Sequence, residues 1–205
     1  REALTLLAER AGLALDAPAP FGMGEALDSA EAQARKRLRE LNEAAAIWLH
    51  HQLLQATEAQ FARGYLDSRG VNGDSLTQWR LGYAPGGNAL VRYLREQGYA
   101  DTELIQAGLA GTREPKGHAP AAQGGASGRA DEVYDYFRNR LIFPIRDARG
   151  RTIAFGGREL GGGHPKYLNT PQTPLFDKSA TLYGLDLARD AIRKQERVII
   201  VEGYM

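Results

Sequence analysis

Two apolar runs, Leu141 to Ile145 and Thr152 to Phe155, flank a short polar turn at Asp147 to Gly150. Runs of that length on either side of a turn predict a β-hairpin, and no other stretch of the chain is as restrictive. Arginines crowd around it: Arg138, Arg140, Arg146, Arg149, Arg151 and Arg158, with Lys166 and Lys178 beyond. Only Asp135, Asp147, Glu159 and Asp177 interrupt them. Arg138 and Arg140 are two residues apart, which on a strand puts both on one face. A planar guanidinium fork matches phosphate oxygens, and Tyr134, Tyr136, Phe137 and Tyr167 lie among these cations where rings could stack on bases. The competing reading pairs the arginines with nearby acids and buries the rings. It is favoured for Arg149 and Arg151 beside the turn, and for Tyr136 and Phe137, since large aromatics are mostly buried.

The net charge of +1 leaves only the local distribution of charge to argue for a polyanionic partner. The chain has no cysteine, which excludes disulfides and thiolate metal sites within it. No apolar run is long enough for a membrane helix. The glycine-rich points at Gly156-Gly157 and Gly161 to Gly163 match no phosphate-binding P-loop pattern.

Upstream the pattern is helical. Glu2 to Ala11 reads as a short amphipathic helix, followed by a linker from Leu15 to Gly24. A long helix follows, capped by Asp28 or Ser29, with Leu38, Leu41, Ala45, Trp48, Leu49 and Leu53 along one face. Its Arg35 to Arg39 cluster reads as a solvated face. His50 and His51 are adjacent, not at the i, i+4 spacing of a metal pair, and read as structural. Short helices are predicted at Ala59 to Leu66, at Asp74 to Arg80, from an Asn88 cap to Gln97, and from an Asp101 cap to Ile105. An extended segment runs from Leu81 to Pro85. Gly111 to Asp131 is rich in Gly and Ala and poor in apolar bulk, and reads as a surface insertion. After the hairpin come an extended His164 to Asn169, a loop at Thr173 to Lys178, and a helix from Leu185 to Lys194. Arg197 to Val201 then reads as a strand covered on both faces, with Glu202 at its carboxyl edge. A carboxylate there, beside cations, suits a metal-dependent phosphoryl-transfer site. The chain begins without Met and stops just after this strand, so it is expected to be a piece of a longer protein.

The segments YDYFRNRLIFPIRD, AFGGREL, PKYLNTPQTPLFDK, LYGLDLA and VEGYM resemble, in order and spacing, the catalytic core of bacterial DnaG-type DNA primases. The resemblance runs from about Tyr65 to Met205 and is densest from Tyr134. It implies an α+β fold: a helical layer with a small mixed sheet and basic hairpin, followed by the first strand of an α/β TOPRIM domain. The implied boundaries are 1–27 for the tail of an upstream zinc-binding module and linker, 28–195 for the N-terminal subdomain of the core, and 196–205 for the start of TOPRIM. Glu202 corresponds to the TOPRIM glutamate, as general base or metal-site carboxylate. Arg69, Arg138, Arg140, Arg146, Arg158, Lys166, Tyr167, Asn169 and Lys178 fall where template and nucleotides are thought to bind. Mg²⁺ or Mn²⁺ is implied for the whole enzyme, and Zn²⁺ for the upstream module. The implied partners are single-stranded DNA, ribonucleoside triphosphates and, through a region outside this chain, the replicative helicase. The implied location is cytoplasmic. Two features depart from the pattern: the Asp expected after Met205 lies beyond the chain, and the insertion is long. On its own this piece is expected to bind nucleic acid weakly and polymerise nothing. A non-catalytic binding module, or part of another TOPRIM enzyme, are the alternatives.

Overall fold

The computed structural model describes residues 23–113 and 132–204. The chain divides into two compact units, Arg1–Lys36 and Arg37–Met205, and the second holds the hairpin. The first predicted helix and most of the linker lie outside the described residues, as does most of the predicted insertion.

The long helix, α1 (Met23–Gln55), crosses from the first unit into the second. Leu38, Leu41, Ala45, Leu49 and Leu53 are all buried, at the three- and four-residue spacing that lines one face of a helix. A 3₁₀ turn (Thr57–Ala59) leads to α2 (Gln60–Ser68), α3 (Gly73–Trp79) and strand β1 (Gly82–Ala84). Next come α4 (Ala89–Glu96), α5 (Asp101–Gln106) and β2 (Ala110–Arg113). After the undescribed stretch, β3 (Glu132–Asp135), β4 (Arg140–Arg146), β5 (Thr152–Glu159), β6 (Tyr167–Asn169) and α6 (Leu185–Gln195) complete the order.

The predicted hairpin is β4–β5. With β1 and β6 it makes a four-stranded sheet ordered β1-β4-β5-β6, and β2 pairs with β3 in a separate ribbon. Every ladder among the described residues is antiparallel, so the sheet is not mixed. Tight turns set this for two of the ladders: the β4–β5 turn and the Gly161 to Gly163 turn each reverse the chain.

The sheet has apolar cover on both faces. On one, α1 packs with Leu90 and Leu94 of α4 and Leu104 of α5 against Phe137, Ile142 and Phe155. On the other, Leu53, Leu66, Leu81 and Tyr83 meet Leu141 and Phe143. At Gly82 an added Cβ would stand 2.9 Å from the Leu49 Cβ, so only glycine lets β1 sit this close to α1.

The helix starts differ from the predicted caps. Asn88 does not cap α4 with its side chain. Instead Asp135 of β3 accepts from the Leu90 and Val91 amides at 3.0 and 2.7 Å. The Asn88 amide group bonds the β3 backbone in return, accepting from the Asp135 amide at 3.2 Å. Helix and ribbon thus satisfy each other's unpaired groups. At α5 the cap residue is Ala100, not Asp101, and Glu103 reaches back to accept its amide at 2.8 Å. At α3 the cap is Asn72, accepting from the Ser75 amide.

Two further expectations are corrected. Gly111 to Arg113, read as insertion, belong to β2, because pairing with β3 satisfies a backbone that carries little apolar bulk. Val198 to Val201, read as a covered strand, is unpaired, and its four side chains are 55%, 76%, 70% and 77% exposed. A strand exists only through its neighbours, and none of the described strands lies beside this run. Helix α6 forms as predicted, but none of its residues is fully buried.

Candidate nucleic-acid interface

Register decides which side chains share a surface. Arg158 lies opposite Leu141 on β4 and opposite Tyr167 on β6, and Gly156 lies opposite Asn169. Cross-strand partners point to the same face, so Arg158, Tyr167 and Asn169 project together. Arg158 Nη1 donates to the Tyr167 hydroxyl, and its guanidinium carbon is 5.2 Å from the centre of that ring. Tyr65 of α2 covers the same guanidinium at 4.8 Å. Arg69, just past the end of α2, lies 5.2 Å from the Tyr65 ring centre.

Tyr204 packs on the same face. Its ring stacks on Phe143 at 4.8 Å and meets Tyr183 edge-on at 4.8 Å. Its hydroxyl donates to Asn169 Oδ1 at 2.8 Å, and burial pushes that hydroxyl's pKa up to about 12. Gly156 makes room for it, since a Cβ there would come within 2.6 Å of the Tyr204 Cζ. Glu202 lies two residues earlier, ahead of Gly203, whose φ of +98° turns the chain. Glu202 is exposed, with no hydrogen bond or ion pair among the described residues.

The expected basic residues separate into two kinds. Arg69, Arg138, Lys166 and Lys178 are exposed and form no ion pair among the described residues. Arg138 leans on the Tyr134 ring at 5.1 Å. Arg140 and Arg146 are held inside. Arg140 is 7% exposed, donates to the Pro165 carbonyl at 2.9 Å, and braces the segment that carries Lys166. Arg146 pairs with Asp186 at 3.0 Å, their side chains 10% and 8% exposed. Arg138 and Arg140 do not share a strand face, because Arg138 precedes β4 and Asn139 between them takes a φ of +51°. Lys178 follows a loop anchored by Phe176 against Ile145 and Ile153, and no described contact joins it to Arg158.

The readings that gave residues structural roles hold where contacts test them. Arg151 pairs with Asp147. Phe137 is fully buried, and Tyr136 packs against the core. His50 donates from Nδ1 to the Leu81 carbonyl at 2.6 Å. Tyr65 and Tyr204 were missed: neither lies in a charge cluster, and only the fold brings them to the sheet.

Among the described residues no group of three His, Asp or Glu could hold a metal ion. Glu202 alone does not fit a divalent cation, and no metal step is assigned to this chain. No helix among the described residues is long and apolar enough to cross a membrane.

Residues 49–189 match the family DNA primase catalytic core, N-terminal domain. A DNA primase of Synechocystis is 46% identical over 173 residues, 83% of this chain and 25% of its own. The RNA polymerase domain of Mycobacterium tuberculosis primase DnaG superimposes with a TM-score of 0.71 at 34% identity, over 83% of this chain and 51% of that one. A DnaG primase catalytic domain bound to single-stranded DNA does so with a TM-score of 0.70 at 36% identity, over 84% and 49%. The chain spans between about a fifth and a third of the length of the curated relatives it matches.

Proposed function

This chain belongs to the bacterial DnaG-type primase catalytic-core family, and on that footing we propose that its basic surface holds single-stranded template and ribonucleotides during RNA primer synthesis. The observation that carries this reading is the set of exposed cations Arg69, Arg138 and Lys166, which form no ion pair among the described residues, with Arg158 sharing the Tyr65 ring with Arg69. Cations not tied up in ion pairs are what a phosphate backbone requires. Tyr167 and Asn169 of β6 share a face with Arg158 and would orient a base or sugar against it. Arg140 braces this surface from within through the Pro165 carbonyl, and Arg146 is held by Asp186. Residues 28–195 make up the subdomain that carries it, and 196–205 begin the next domain.

Glu202 is the carboxylate this chain contributes to the chemistry. Joining a 3′-hydroxyl to an α-phosphorus depends mostly on positioning and charge stabilisation, and a carboxylate near the hydroxyl can take its proton. In the full-length protein Glu202→Gln should lower primer synthesis by about 100-fold or more with template binding retained. Undiminished synthesis removes Glu202 from the mechanism.

The binding reading is tested by anisotropy of a labelled single-stranded oligonucleotide across a salt series. Each lost phosphate contact should flatten the slope of log affinity against log salt by about 0.7. Arg138→Ala and Lys166→Ala are each expected to do so, alike for all sequences. Unchanged slopes would make the cations structural.

A further inference from the structure

An arginine on a sheet surface is long and mobile, and holding it in one place costs roughly 2 kcal/mol of side-chain freedom. A carboxylate can fix it, as Asp186 fixes Arg146, but then its charge is answered. An aromatic face fixes a guanidinium and leaves its charge available.

Arg158 is fixed in the second way. Its guanidinium carbon lies 4.8 Å from the Tyr65 ring centre and 5.2 Å from that of Tyr167. Arg69 lies 5.2 Å from the same Tyr65 ring. One ring therefore contacts two cations that come from different parts of the chain. Tyr65 packs at the edge of the core cluster that includes Leu141 and Phe143, so its plane is set by the fold. Its hydroxyl is buried with no hydrogen-bond partner, as is Nε of Arg158. Only the ring can account for what Tyr65 does here.

Building on the reading above, we propose that Tyr65 is a positioning residue, whose ring holds both Arg158 and Arg69 in place as receptors for phosphate oxygens. The ring fixes each guanidinium without neutralising it, so both stay available to an anion. The phosphate belongs either to the template backbone or to a nucleoside triphosphate, since both present the same oxygens.

The test compares wild type, Tyr65→Leu, Tyr65→Phe and Arg158→Ala in the full-length protein. The probes are a labelled single-stranded oligonucleotide and, separately, GTP, each titrated across a salt series, with melting temperature as the check on folding. Tyr65→Leu keeps apolar bulk but removes the ring face. It should weaken binding roughly fivefold and flatten the salt slope toward that of Arg158→Ala. Tyr65→Phe should bind as wild type, because the lost hydroxyl has no partner. Weakening with the oligonucleotide alone identifies template phosphate, and with GTP alone the triphosphate; either supports the assignment. Wild-type binding by Tyr65→Leu beside a weakened Arg158→Ala overturns it and leaves the basic-surface reading standing. So does weakening by Tyr65→Phe, or weakening by Tyr65→Leu with the slope unchanged. If Arg158→Ala itself binds as wild type, the place of Arg158 in the basic surface fails, and the role of Tyr65 with it.

Discussion

At its turn end the β4–β5 hairpin answers two of its arginines with acids. Arg146 meets Asp186, and Arg151 meets Asp147. At its open end Arg138, Arg158 and Lys166 form no ion pair among the described residues, although Asp135 and Glu159 lie close in sequence. Those two carboxylates are engaged by backbone instead. Asp135 accepts the Leu90 and Val91 amides of α4. Glu159 accepts the Gly161 and Gly163 amides at 2.8 and 2.7 Å, and these hold its carboxyl below the usual range. The same residue types, within one supersecondary unit, are largely paired at one end and unpaired at the other. What separates the ends is where each carboxylate finds its hydrogen bonds.

Arg146→Ala should produce the largest effect, and on stability. It leaves Asp186 in a nearly closed site without its cation, which costs about 3 kcal/mol and is read from denaturant unfolding. Oligonucleotide affinity per folded molecule should not change. The double variant Arg146→Met/Asp186→Leu should recover most of the loss, because the unpaired charge is gone. An Arg146→Ala protein of full stability and weakened binding would place Arg146 with the open cations and erase the contrast.

Asp135→Ala comes next, at about 2 kcal/mol, since two buried amides of α4 lose their acceptor. Burial pushes the Asp135 carboxyl above its ordinary value, with the α4 amides and Arg138 pulling it part of the way back. The native state therefore keeps this proton to higher pH than the unfolded chain does. Its share of stability then falls as pH rises from the ordinary aspartate range through the raised value. Asp135→Asn keeps an acceptor for the helix and removes the titration. It should lose less than Asp135→Ala, and this falling component should vanish from its stability profile. A fall of equal size in Asp135→Asn would show that another group carries it.

How much of this was legible in the sequence follows from the range of each signal. The hairpin, the face of α1 and the ends of the short helices were readable because periodicity and turn residues act within a few positions. The α4 cap was not, because Asp135 stands 45 residues from Leu90. The strand β2 was missed because Gly, Thr and Arg carry no apolar alternation, and its pairing supplies what its side chains do not. Val198 to Val201 gave the opposite error: an apolar run states a need for cover but not where the cover comes from. The basic surface was legible as a list of cations and illegible as a surface. Arg140 and Arg146 have the same side chain as Arg138, and only their partners, Pro165 and Asp186, remove them from it.

The smallest effect is expected at Arg151, a turn-end arginine open to water. Its side chain is 43% exposed, and its partner Asp147 is 21% exposed. Asp147 does not depend on it, because the carboxylate also accepts the Arg149 and Arg151 amides at 2.9 and 3.1 Å. Arg151→Ala should therefore cost about 0.5 kcal/mol or less and leave the turn closed. Because its charge is already answered by Asp147, its removal should leave the salt slope of oligonucleotide binding unchanged. Arg138→Ala should be nearly as harmless to stability, since Arg138 is exposed and forms no ion pair among the described residues, yet it should flatten that slope by about 0.7. Two surface arginines of one hairpin, equal in their small effect on folding and unequal in binding, would show that local neutralisation, not exposure, decides which cations meet phosphate. Equal flattening by both variants would extend the binding surface over the turn and dissolve the distinction between the two ends.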